Sequence, residues 1–149
     1  MFPSDTAAEA FASGYNCAQS VLHAFAEELG MDEDTATRVA ASFGGGMGRS
    51  GGPCGALTGA LMALSLATAS LDPADKEAKE RNYALTLRFV EAFAARFGST
   101  TCPGLLGYPI GTPEGLQAVR EQGLFASRCP GYVRGAAEIA GELLAEVRG

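Results

Sequence analysis

Residues 55–71 read GALTGALMALSLATASL, a run without one charged side chain. A helix that is apolar on every face has to be enclosed, by other helices or by lipid. Lipid is the poorer fit: a bilayer asks for ~20 strongly apolar residues, and much of this run is Ala, Gly, Ser and Thr. The expectation is a central helix wrapped by others, with no membrane insertion. Its Gly55-xxx-Gly59 pair is of the kind that packs helices closely. A chain of 149 residues has room for one hydrophobic core, so residues 1–149 are read as a single helical domain.

The punctuation around that segment is helical throughout. Ser4 is placed as the cap of a first helix ending near Ser13-Gly14. Asn16 caps a second over residues 17–29, stopped by Gly30, and Asp32 caps a third running to about Phe43. The glycine-rich stretch 44–52 cannot hold regular helix. Pro53 fits a first helical position, so the central helix is expected over residues 53–70. Asp72-Pro73 begins a long helix closed by Gly98, with Leu85, Phe89 and Phe93 on one stripe. Thr101-Cys102-Pro103 and Thr112-Pro113-Glu114 open two shorter helices, the second running to about Gln122. A last helix starts at Pro130 and turns Val133, Ala137, Ile139, Leu143 and Leu144 inward. No window alternates with period two, so no strand is expected. The class is all-α, a bundle of six to eight helices around a buried central one.

Several kinds of function fall away. A net charge of −6 argues against nucleic acid as a partner. The N-terminus, MFPSDTAAEAFASGYN, has neither a basic nor an apolar leader region, which points to the cytoplasm. The single histidine, His23, cannot build a multi-histidine metal site, and six residues beyond Cys17 it projects to another helix face. Residues 46–51 satisfy GxGxxG, but that fingerprint needs a strand before it and a βαβ unit around it. No carboxylate pair is poised for acid–base work; Tyr15, Tyr108 and Tyr132 each lie near a cysteine or a glycine–proline turn, where they could line a pocket or serve as ordinary boundary aromatics.

Four cysteines remain: Cys17, Cys54, Cys102 and Cys129. None forms a CxxC pair, so only the tertiary fold can bring them together. Each lies at an expected helix start, where free N–H groups and the helix dipole favour a thiolate. Cys54 and then Cys17 are the candidate redox-active residues, and Arg49 and Gly55 the candidate cofactor contacts, Arg49 as holder of a small anion. All four thiols together could ligate zinc or an iron–sulfur cluster, or cycle between dithiol and disulfide. Other readings are a non-catalytic module carrying a soft metal or metalloid for transport, and a structural helical homodimer with inert cysteines.

At these residues the sequence resembles the C_GCAxxG_C_C family, a group labelled redox-active. The shared features are Cys54-Gly55-Ala56-Leu57-Thr58-Gly59, the glycine-rich run before it, Cys17 in Gly14-Tyr15-Asn16-Cys17-Ala18, Cys102, and Cys129 followed by Tyr132-Val133. The resemblance covers about residues 6 to 140. It implies a small cysteine-dependent redox protein with a redox or transport-associated partner, because family genes often accompany transporter genes. Relatives with selenocysteine at a cysteine position favour nucleophilic or redox chemistry. Similar domains beside iron–sulfur and haem centres favour a cluster.

Overall fold

The computed structural model describes residues 1–148, and within them the fold is all-α. Eight right-handed helices follow one another: α1 (Pro3–Ala12), α2 (Cys17–Ala26), α3 (Glu33–Ala40), α4 (Gly55–Thr68), α5 (Lys76–Phe97), α6 (Cys102–Leu106), α7 (Pro113–Glu121) and α8 (Leu124–Arg148). A short 3-10 turn, Ala41–Phe43, extends α3. The described residues contain no strand, only an isolated antiparallel bridge between Pro53 and Thr101.

Four helix starts follow their caps. The Asn16 Oδ1 accepts from the Gln19 N–H at 2.9 Å, while the Gln19 Oε1 accepts from the Asn16 N–H at 2.9 Å. Asp32 accepts from the Thr35 N–H, Thr101 from Gly104 and Thr112 from Gly115. Each cap satisfies a donor that the helix cannot, worth ~1 kcal/mol. The other starts differ from expectation. Helix α1 begins at Pro3, a proline at the first position, so Ser4 lies inside it. Asp72 closes a turn through the Ala74 N–H, and Asp75 caps α5. Pro53 is held in the bridge, which delays α4 to Gly55. The last helix starts at Leu124, so Cys129 and Pro130 lie within it. Proline there withholds one intrahelical donor, yet the flanking turns carry the helix through.

Helix α4 is the buried axis, with Ala56, Leu57, Ala60, Ala63 and Leu64 all in the core. Its neighbours α2, α8 and α5 cover it within the chain. The motif glycines set the closest crossing. A Cβ on Gly59 would lie 2.5 Å from the Ala18 carbonyl oxygen, and one on Gly55 would lie 2.9 Å from that of Phe43. Helix α4 therefore meets α2 backbone to backbone at the residues beside Cys17. A second, smaller core gathers Cys102, Leu106, Ile110, Val119, Leu124 and Cys129, and Cys17 packs against both. Among the described residues no helix is long and apolar enough to cross a membrane.

A candidate redox site lined by four cysteines

The segment before α4 is where the chain departs furthest from ordinary backbone. Gly45, Gly46, Met47, Gly48 and Arg49 have φ of 68°, 69°, 63°, 68° and 67°. Five left-handed residues in succession make one turn of left-handed helix. Glycine adopts this freely, but Met47 and Arg49 each cost ~1–2 kcal/mol. The turn folds tightly onto its neighbours: a Cβ on Gly46 would lie 2.6 Å from the Cys102 Cβ. The Gly52 N–H donates to the Gly46 carbonyl at 3.0 Å and closes the loop.

Beyond the turn, the bridge aligns two cysteines. The Cys54 N–H donates to the Thr100 carbonyl at 2.8 Å, and the Cys102 N–H donates to the Gly52 carbonyl at 3.0 Å. Both cysteines flank the bridged pair, so their side chains leave on the same face. Helix α2 adds Cys17, whose Cβ sits 3.2 Å from the Cβ position of Gly55. Helix α8 adds Cys129. It is held against α6 by Tyr132, whose hydroxyl donates to the Leu105 carbonyl at 3.0 Å, and by Arg128, which donates to the same carbonyl at 3.1 Å.

The four thiols line a single cavity of about 400 Å3. Arg49 and Gly55 line it too, Arg49 as its only charged residue, and Phe11, Leu105, Phe125 and Tyr132 supply apolar wall. His23 is not part of it: its Nε2 lies 2.7 Å from the Thr37 hydroxyl, and its ring packs on Tyr15. Tyr15 and Tyr108 are likewise outside the lining. Phe11 and Phe125 carried no sequence signal, because nothing local marks which face of α1 or of the α8 start turns toward the thiols.

Helix starts do not make all four thiols acidic. At Cys54 the Ala56 and Leu57 amides pull the pKa down as anticipated, but burial outweighs them and pushes it up to about 11. Burial pushes Cys102 up to about 12, helped by the nearby Cys54 and Cys129 sulfurs. Cys17 is raised well above the usual thiol range, first because its proton is presented to Cys129 and then by burial. Cys129 alone is lowered, and the cause is the Cys17 thiol. The most acidic thiol is thus the one that lies inside a helix. Its acidity comes from a neighbouring side chain and not from the backbone.

The same arrangement bears on a metal centre. Among the described residues no three His, Cys, Asp or Glu side chains are disposed to share a metal ion. The thiols line a cavity wall, and three of them hold their protons more tightly than free cysteine. A metal or cluster would have to displace those protons and draw the walls inward.

A family model described as "Putative redox-active protein (C_GCAxxG_C_C)" matches residues 15–143. The chain belongs to this family of redox-active cysteine proteins. The matched span includes all four cysteines and the Cys54-Gly55-Ala56-Leu57-Thr58-Gly59 segment with its two glycines. In this chain those two glycines are the α2–α4 crossing points. No curated protein matches the chain, and no solved structure does.

Proposed function

We propose that the protein is a thiol–disulfide redox protein whose working pair is Cys129 and Cys17. The observation that carries this reading is that Cys17 and Cys129 line one cavity and pack on the same small core; there the Cys17 thiol lowers the pKa of Cys129, which favours Cys129 as the attacking member. Nucleophilic attack on sulfur requires thiolate, and the second cysteine resolves the resulting mixed disulfide. Cys54 and Cys102 stay protonated at neutral pH, and their role is to line the pocket with neutral, polarizable sulfur. This reading moves the nucleophile from Cys54 to Cys129 and keeps Cys17 as its partner.

Protein purified and reduced without oxygen, then treated with diamide, should lose two thiols reversibly, and peptide mapping should find Cys17 joined to Cys129. A disulfide joining Cys54 to Cys102, or four inert thiols, would overturn the assignment. A second reading, a thiolate-bound zinc or iron–sulfur centre, is favoured by the placement of all four cysteines on one cavity. It requires zinc or iron in the purified protein, lost together with any visible absorption in Cys54→Ser. Cys54→Ser should leave the Cys17–Cys129 disulfide able to form if the dithiol reading holds.

A further inference from the structure

Resting on the dithiol reading, we infer that the substrate is a low-molecular-weight disulfide carrying a carboxylate, with Arg49 as the residue that selects it. Access argues for a small molecule. Cys129 is 6% exposed, Cys102 7% and Cys54 4%, so the disulfide of a folded protein cannot be laid against the nucleophile. A cavity of about 400 Å3 lies within the range of small-ligand pockets.

Charge selects among small disulfides. The wall is apolar apart from Arg49, Asn16, Tyr132, the thiols and the glycine backbone, and no carboxylate is among the described residues that line it. Arg49 faces the cavity, while among the described residues the ion pairs to Asp and Glu are made by Arg81, Arg88, Arg96, Arg134 and Arg148. Its backbone is clamped in the left-handed turn: a Cβ on Gly111 would lie 2.8 Å from the Arg49 carbonyl oxygen, and one on Gly45 would lie 3.2 Å from the Arg49 Cγ. A guanidinium held at the rim of an apolar pocket fits a planar carboxylate bidentately. In a chain of net charge −6, it is also the feature that would draw a small anion into this cavity.

The reaction balances without a further oxidant. The Cys129 thiolate attacks one sulfur of the bound disulfide R–S–S–R, forming Cys129–S–S–R and expelling RS⁻, which takes the Cys17 proton. The Cys17 thiolate then attacks the Cys129 sulfur, forming the Cys17–Cys129 disulfide and releasing the second RS⁻. The substrate gains two electrons and the protein pair loses two.

Rates of protein thiol loss, measured without oxygen, should separate 3,3′-dithiodipropionate from the neutral bis(2-hydroxyethyl) disulfide. The anionic disulfide should react on the order of tenfold faster, the worth of one solvent-touched charge-assisted contact. Arg49→Gln should collapse that preference. Arg49→Gly guards against misfolding, since glycine keeps the left-handed conformation without strain, and it should lose the preference with no fall in Tm. Equal rates for the two disulfides, or a preference that survives both variants, would overturn the inference and leave the dithiol reading standing. If neither disulfide oxidises the protein, the dithiol reading falls and the inference with it.

Discussion

The proton that Cys17 presents to Cys129 can be removed by one substitution. In Cys17→Ala, burial is the remaining influence on Cys129 and it acts upward, so the pKa should rise. Site-resolved iodoacetamide labelling against pH should show the Cys129 midpoint moving to higher pH, while Cys54 and Cys102 label only in strong alkali. An unmoved midpoint would mean that Cys129 owes its acidity to something else. Met47 offers a test of the left-handed turn. Its conformation costs ~1–2 kcal/mol, and glycine costs ~0.5–1 kcal/mol in chain entropy. Met47→Gly should therefore leave stability unchanged or raise it by up to about 1.5 kcal/mol in urea unfolding, whereas Met47→Val should lower it. At this scale the residues of the site were readable, but their acidity was not. Proximity to a helix start is local, whereas desolvation and the Cys17–Cys129 contact depend on which helices meet.

Helices announce themselves through caps, and Asn16, Asp32, Thr101 and Thr112 all act as their positions suggest. Proline is the less trustworthy marker. Pro73 precedes its helix by a turn and Pro130 sits inside one, because packing of α8 on α1 and α4 holds the turns on either side. The central helix was legible from its lack of charge, since a run with no polar face has only one kind of place to go. Its exact crossing was not, because Gly59 and Ala18 are far apart in the chain. That crossing predicts a sign. Gly→Ala within a helix ordinarily gains ~1 kcal/mol of propensity, but at Gly59 the new methyl would lie 2.5 Å from a backbone oxygen. Overpacking against backbone costs ~1–3 kcal/mol, so Gly59→Ala should lower the thermal midpoint. The same change at Gly141, where nothing lies within 4 Å, should raise it.

Across the molecule, the buried thiols couple stability to pH. Between pH 9 and 11 the unfolded chain has given up the Cys54 proton while the folded chain keeps it. The Cys54 contribution to stability is therefore whole below pH 9 and falls by up to about 1.4 kcal/mol per pH unit between pH 9 and 11. Cys54→Ala should flatten the decline in urea midpoints over that range. Oxidation acts oppositely. A Cys17–Cys129 disulfide closes a loop of more than a hundred residues, so the oxidised protein should melt roughly 5–15 °C above the reduced one. Ion pairs add little by comparison: α8 is tied to α1, to the turn after α2 and to α5 by Arg134–Asp5, Arg148–Glu28, Arg96–Glu138 and Arg88–Glu146, all solvent-exposed. The four cysteines come from four separate stretches of chain, and each is placed by a different helix start or helix interior. Detaching any one of those stretches dissolves the cavity, so the distinct labelling order of the thiols exists only while the whole chain is assembled. A brief excursion that lifts α8 away would erase the difference between Cys129 and its neighbours, so labelling of Cys54 and Cys102 at neutral pH would count how often that helix opens.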